Sequence, residues 1–207
     1  MRKLVFVFIL SFASQLVISG QNFYSQIELY QGFSSFIPNH GSFKPKYAYQ
    51  YGVTTGINIS KHLDANVGIV YQNAGAAEYI WEVNSTGENS PDVRQTFNTT
   101  FLKIPVDINL KFGKQNTFSI GLGAYYSFNL TASYGTDSPN GTIYRLIYLE
   151  ELGQNDYGVR FKPSILLPLN ERFLIQLGLL GEFGLNVIWN DVVNYNASAF
   201  VALRFAY

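Results

Sequence analysis

The sequence contains no cysteine. A chain without thiols forms no disulfide, offers no thiolate to a metal ion and has no thiol nucleophile. It also cannot carry the lipid anchor that lipoproteins attach to an N-terminal cysteine. The fold must therefore be held by noncovalent contacts alone.

Charged residues are scarce as well. They make up 14% of the 207 residues, against roughly 25% in soluble globular proteins. The 14 Lys and Arg balance the 14 Asp and Glu, so no basic field attracts nucleic acid or anionic head groups. Apolar residues reach 47% and aromatic residues 16%. This composition favours a protein whose outer wall faces lipid.

Long apolar runs are missing beyond the N-terminus. A transmembrane helix needs about 18 or more consecutive apolar residues, and no later segment approaches this length. The sequence therefore excludes a bundle of membrane-spanning helices.

The N-terminus has the pattern of an export signal. Arg2 and Lys3 precede an apolar stretch, and Ser19 and Gly20 supply small residues for cleavage. We predict that residues 1–20 are a cleaved signal peptide. The alternative, a membrane anchor, is disfavoured because serine and glutamine interrupt the apolar stretch.

Apolar and polar residues alternate over long segments, which places every second side chain on one face of a strand. The clearest segment, residues 117–134, has an apolar set that ends with Leu130, Ala132 and Tyr134. Similar alternation covers residues 47–59, 102–112, 156–169, 173–187 and 196–207, and two less regular segments lie near residues 23–33 and 63–83. The pattern predicts eight strands.

The predicted connections alternate in length. Three are short, at residues 60–63, 113–116 and 170–172, and four are long, at residues 34–45, 84–95, 135–153 and 189–195. Short periplasmic turns and long extracellular loops are typical of outer-membrane barrels. We therefore predict an all-β fold for residues 21–207, an eight-stranded antiparallel up-and-down transmembrane β-barrel in the bacterial outer membrane.

The orientation of the two faces follows from the polar set, which is rich in small uncharged residues. Such residues suit the crowded interior of an eight-stranded barrel, whereas a soluble lipocalin-like barrel would need many charges outside. We predict that the apolar set faces lipid and leave the soluble barrel as the alternative.

The charges on the inward face are of both signs. Buried charges need partners, so we predict a lumenal network of ion pairs, with Glu28 as a further candidate member. The alternative is a narrow polar channel or a proton pathway. The predicted network comprises Asp64, Lys103, Asp107, Lys111, Asp156, Arg160, Lys162, Glu182 and Arg204.

A catalytic site is not indicated. Of the two histidines, His62 lies in a predicted turn and His40 in a loop near Ser42. A loop acid such as Glu88 or Asp137 would have to complete a hydrolytic site, and no strand fixes that geometry. We predict no enzyme activity, no cofactor and no metal site, with a surface hydrolase as the alternative.

The end of the chain carries an alternating apolar pattern, at Leu203, Phe205 and Tyr207. It resembles the C-terminal aromatic signal that barrel-assembly machinery recognises, so we predict this machinery as a partner during biogenesis. An apolar-aromatic run in the longest loop is unusual for a solvated segment: Ile143, Tyr144, Leu146, Ile147, Tyr148 and Leu149. It either extends the strands as a hairpin, forms a contact surface or caps the lumen.

The stretch from Phe101 to Phe112 (FLKIPVDINLKF), followed by the glycine-rich strand from Ile120 to Tyr125, resembles the PorT-like, OmpA-like outer-membrane β-barrel family of Bacteroidetes. Pro105 within it predicts a bulge or a break in strand pairing. The resemblance implies an outer-membrane location in lipid, and the founding member is associated with protein secretion. We expect a non-enzymatic barrel with a structural or interaction role through its extracellular loops. The alternatives are an accessory component of a secretion machine, with a protein partner, and a small pore.

Overall fold

A computed structural model describes residues 23–37, 44–80, 93–138, 141–146, 155–186 and 193–206. None of these segments forms a helix long and apolar enough to cross a bilayer. The strands are β1 (Phe23–Ile37), β2 (Lys44–Ser60), β3 (Leu63–Ile80), β4 (Val93–Phe112), β5 (Phe118–Ser138), β6 (Gly141–Leu146), β7 (Asn155–Pro168), β8 (Phe173–Gly184) and β9 (Val193–Ala206).

Eight of the strands close into a barrel in which all neighbours are antiparallel. Strand β1 pairs with both β2 and β9, and β5 pairs with both β4 and β7. The ring therefore runs β1-β2-β3-β4-β5-β7-β8-β9 and back to β1. Strand β6 pairs with the far end of β5 and extends it as a hairpin. The predicted eight-stranded barrel is confirmed.

The three short connections lie at one end of the barrel. They are the turn at Lys61 and His62, a 3-10 turn at Lys114–Asn116 and the turn at residues 169–172. The β4–β5 turn is tight, because Gly113, Gln115 and Asn116 all adopt positive φ. Both described chain ends lie at this same end, as an up-and-down barrel with an even strand number requires.

The first and third of the four long connections are shorter than predicted, because strands continue into them. Strand β1 runs to Ile37, β2 begins at Lys44, and β5 runs to Ser138. In the run of apolar residues assigned to the third loop, Ile143, Tyr144 and Leu146 lie in β6, and residues 147–149 lie outside the described residues.

The apolar face points outward. Leu179 is 61% exposed, whereas Gln176 and Leu180 on the opposite face are 1% exposed. The outward side chains, which form the apolar band of the barrel, are uncharged and large, as a surface in contact with lipid requires. The soluble lipocalin-like alternative is therefore wrong.

Aromatic rings border the apolar band at both ends. At the turn end, Phe112 stacks on Phe118 with centroids 5.9 Å apart, and Phe173 meets Phe205 edge-to-face at 5.3 Å. Towards the other end, Tyr51 stacks on Tyr71 at 4.9 Å. Such girdles mark the two interfaces of a bilayer.

One part of the predicted alternation is wrong. Thr100 pairs with Thr131, whereas Phe101 pairs with Asn129, which leaves Leu130 as an extra residue. A bulge of one residue exchanges the two faces of the strand beyond it. Ala132 is therefore 3% exposed and points inward instead of towards lipid, and Tyr134 packs on the same inner side.

Pro105 breaks the pairing without a bulge. The β3–β4 register is the same at Val67–Val106 and at Val70–Lys103, and no pairs form between them. Proline has no N–H to donate to the ladder, so the gap lies at the proline. Pro163 leaves an equivalent gap between β7 and β8.

The lipid-facing wall predicts a depth-dependent cost for charge. Val106, 51% exposed and six residues from the Phe112 girdle, lies near the middle of the apolar band. We expect Val106→Arg to lower the free energy of unfolding in lipid vesicles by about 2–4 kcal/mol. As the matched control, Ile59→Arg at the turn end should cost about 0–1 kcal/mol. Equal costs in urea titrations would contradict the placement of Val106 near the bilayer centre and of Ile59 near its edge.

Candidate functional site

The most conspicuous polar site is the interior of the barrel. All nine residues of the predicted network, together with Glu28, have inward positions on their strands. Nine of the ten are at most 6% exposed, and the side chain of Lys111 is 11% exposed. There are five acids (Glu28, Asp64, Asp107, Asp156, Glu182) and five bases (Lys103, Lys111, Arg160, Lys162, Arg204).

Asp64 forms the cluster nearest the turn end. Its Oδ2 lies 2.8 Å from Lys111 Nζ and 3.1 Å from Arg204 Nη1. Its Oδ1 accepts hydrogen bonds from Asn109 Nδ2 at 2.6 Å and Tyr24 Oη at 2.9 Å. The Arg204 guanidinium also stacks 3.8 Å from the centre of the Tyr24 ring. Four strands are thus joined across the lumen.

Glu28 and Lys162 form a second pair, near the middle of the lumen. Lys162 Nζ lies 2.6 Å from Glu28 Oε1, and Tyr30 Oη donates to the other carboxylate oxygen. The ammonium group also lies 4.6 Å from the centre of the Phe200 ring, a cation–π contact. This pair is charge-compensated and is flanked by the aromatic rings of Tyr30 and Phe200.

Glu182 lies at the centre of the third group of charges. Its Oε2 lies 2.8 Å from Lys103 Nζ, and its Oε1 lies 3.2 Å from Arg160 Nε. Arg160 Nη1 also lies 3.3 Å from Asp107 Oδ2. Gln50 Nε2 donates to Glu182 from a strand on the far side of the barrel, at 3.1 Å.

Asp156 lies at the outer end of the network and differs from the other acids. It accepts hydrogen bonds from Tyr125 Oη at 3.0 Å and from Asn194 Nδ2 at 3.4 Å. Within the described part of the chain, no Lys or Arg nitrogen forms a salt bridge with it. The carboxylate is 0% exposed.

An apolar layer lies beyond the ion pairs, towards the long connections, and it reaches Asn194, which pairs with Phe36. Phe97 meets Phe36 edge-to-face at 5.9 Å and Tyr134 at 5.8 Å, and Phe101 and Ala132 pack with them. The sequence did not indicate this layer, because Phe36 fell in a predicted loop and Tyr134 was assigned to the outer face. No local pattern marks the bulge at Leu130.

The other predicted positions form no reactive group. His62 is exposed, and its Nδ1 lies 3.0 Å from Asn116 Oδ1, which links two turns. His40, Ser42 and Glu88 lie outside the described residues, as does the side chain of Asp137. Among the described side chains, no group of three His, Asp or Glu could hold a metal ion.

The predicted C-terminal signal is described in part. Leu203 and Phe205 lie on the lipid side of β9, and Phe205 contacts Phe173. Tyr207 lies outside the described residues. The recognition of this C-terminal signal by barrel-assembly machinery stays a prediction.

The closed ring, the apolar outer face and the polar interior define a transmembrane β-barrel. The model of the family described as outer membrane protein beta-barrel domain matches residues 19–190. The chain belongs to this family, which is that of bacterial outer-membrane barrels in contact with lipid. No curated protein sequence matches the chain closely enough to count as a relative.

Solved structures with a similar fold share little sequence. The attachment invasion locus protein Ail of Yersinia pestis is 11% identical, with 89% of this chain and 99% of that chain covered and a TM-score of 0.44. For Neisserial surface protein A the values are 13%, 89%, 97% and 0.43. For the outer membrane protease OmpT of Escherichia coli they are 9%, 90%, 97% and 0.47.

The central ion pair predicts a double-mutant effect. Removing one partner of a buried pair leaves an uncompensated charge and costs about 3–5 kcal/mol. We expect Lys162→Met to lower the free energy of unfolding by this amount in urea titrations of the vesicle-bound barrel. The combination with Glu28→Gln should recover most of it. A loss for Lys162→Met below about 1 kcal/mol would show that the pair is solvated.

Proposed function

We propose that the protein is a non-conducting, non-enzymatic outer-membrane barrel with a structural or interaction role, exerted at its extracellular end. The observation that carries this proposal is the filled lumen. Ion pairs cross its turn end and its middle, and an apolar aromatic layer lies beyond them. To pass through the lumen, a solute would have to break the ion pairs and displace the aromatic side chains.

The charge balance of the lumen supports a plug over a channel. Four of the five acids contact a base at 2.6–3.3 Å. Buried pairs are costly to separate because each charge would be left uncompensated at low dielectric. A pore for ions usually offers a ring of one sign together with water, and this lumen has paired charges of both signs.

The same contacts argue against catalysis in the lumen. A general base or nucleophile must be free to reach a substrate, whereas Glu28, Asp64, Asp107 and Glu182 are engaged with bases. They are also enclosed by the barrel wall. We therefore place the contacts with other molecules at the outer end of the barrel.

The outer end is uneven, and this shape favours an interaction role. A transmembrane β-strand needs about 9–11 residues. Strands β3, β4 and β5 have 18, 20 and 21 residues, whereas β8 has 12. The β3–β4–β5 side therefore rises beyond the bilayer as a wall, which β6 extends. We propose this wall as the interaction surface.

Conductance tests the proposal directly. We expect the refolded protein in a planar lipid bilayer to give no single-channel steps, under conditions in which a general porin conducts. Steady steps that disappear when the sample is heat-denatured would sink the plugged barrel and favour the small-pore alternative.

A second candidate is an accessory role in protein secretion. It is favoured by the resemblance of the Pro105 strand to PorT-like barrels, since this strand, β4, belongs to the raised wall. A pull-down from native outer membranes should then recover a stoichiometric protein partner. Replacing Gly141–Leu146 with a Gly-Ser linker leaves the ring of eight strands intact and should abolish recovery. Recovery of no partner by the unmodified chain would count against this role.

A further inference from the structure

Asp156 is the one acid among the five that no described base pairs with. Its Oδ2 accepts the hydrogen bonds from Tyr125 and Asn194, and its Oδ1 has no hydrogen-bond partner among the described residues. A buried carboxylate with only neutral donors either takes up a proton or is stabilised by a cation. The position is therefore a candidate for binding a cation.

Lys103, the base whose charge acts on Asp156, is already engaged with another acid. Lys103 Nζ lies 2.8 Å from Glu182 Oε2 and 4.1 Å from the centre of the Tyr125 ring. Moving it to Asp156 would leave Glu182 with Arg160 alone. The described residues thus offer Asp156 no spare cation.

Further oxygens lie near the carboxylate. Asn194 is 1% exposed, and its Oδ1 has no partner within the described ranges. This oxygen shares a carbon with the Nδ2 that reaches Asp156. Asn129 is 9% exposed, and its Oδ1 and Nδ2 are likewise without described partners. Ser127 pairs with Asp156, and Asn129 lies two residues further along the same strand. Asn129 is therefore a diagonal neighbour of Asp156, with about 7–8 Å between their Cα atoms.

Gly184 lies directly beside Asp156 and Asn194. It lies on β8, between the strands of Asp156 and Asn194, and it carries no side chain. A Cβ at this position would lie 3.0 Å from Asp156 Oδ1 and 3.0 Å from the main-chain oxygen of Asn194. Because Gly184 ends β8, and Asp156 and Asn194 are each second in their strands, the group lies at the outer mouth of the lumen.

We propose that Asp156, Asn194 and Asn129 form a site for a divalent metal cation at the outer mouth of the barrel. Carboxylate and amide oxygens are the ligands that Ca²⁺ prefers. A bound cation would supply the positive partner that Asp156 lacks. With a single carboxylate, we expect an affinity like that of weak extracellular Ca²⁺ modules, about 0.1–1 mM.

The test uses the whole refolded barrel in detergent micelles after treatment with a chelator. Thermal unfolding is followed with CaCl₂, with MgCl₂ and with NaCl at equal ionic strength. A ligand that binds only the folded state raises the unfolding midpoint. We expect a rise with a divalent salt that exceeds the rise with NaCl, and we expect Asp156→Asn to abolish the difference.

Two further variants make the result specific. Gly184→Ala places a methyl group against Asp156 Oδ1 without removing a ligand, so it should weaken the divalent effect several-fold. Glu171→Gln removes an exposed acid from the turn at the opposite end and should leave the effect unchanged. If Asp156→Asn does not fold, binding of radioactive Ca²⁺ to the unmodified barrel and to Gly184→Ala decides.

Three results would overturn the proposal. The first is an unmodified barrel that responds to divalent salts no more than to NaCl. The second is a divalent response that persists in Asp156→Asn. The third is equal Ca²⁺ binding by the unmodified barrel and by Gly184→Ala. The first indicates no more than general screening of charge, and the other two place the ion elsewhere.

Discussion

Backbone polar groups cannot be left without hydrogen bonds in hydrocarbon, and the rest of the structure depends on this constraint. A sheet in lipid must close, because an open edge leaves a row of N–H and C=O groups unpaired. Here the closure is the seam between the first and last strands, with pairs from Tyr24–Ala206 to Ile37–Val193. Without disulfides, this seam is what joins the two ends of the fold.

Closure with eight strands has a consequence for the interior. A barrel of this size is only wide enough for side chains to fill it. Charged side chains that point inward therefore meet one another rather than bulk water. This explains why pairs form between strands on opposite sides, as Gln50 and Glu182 do, and why glycine recurs on the inner face. At Gly123, for example, a Cβ would collide with Asp107 Oδ1.

The sequence predicted the parts of this structure that depend on local alternation. Lys103 and Asp107 are inward because Ile104 and Val106 are outward, and parity alone gives that result. Parity does not give partners across the lumen: the pairing of Glu28 with Lys162 depends on tilt and shear, which bring together residues that are 134 positions apart. It also fails at a bulge, since the extra residue at Leu130 exchanges faces without a local signal.

The errors at the outer end share a physical cause. Beyond the bilayer, the lipid no longer requires an apolar outer face, so strands can continue with a mixed pattern that resembles a loop. Phe36 and Tyr134 were misassigned in this region, where they form the inner apolar layer with Phe97. The same region contains Asp156, the buried acid that no described base pairs with. The membrane-spanning wall is thus constrained by lipid and predictable, whereas the outer mouth is free to vary. That freedom is what allows specific contacts to be built there.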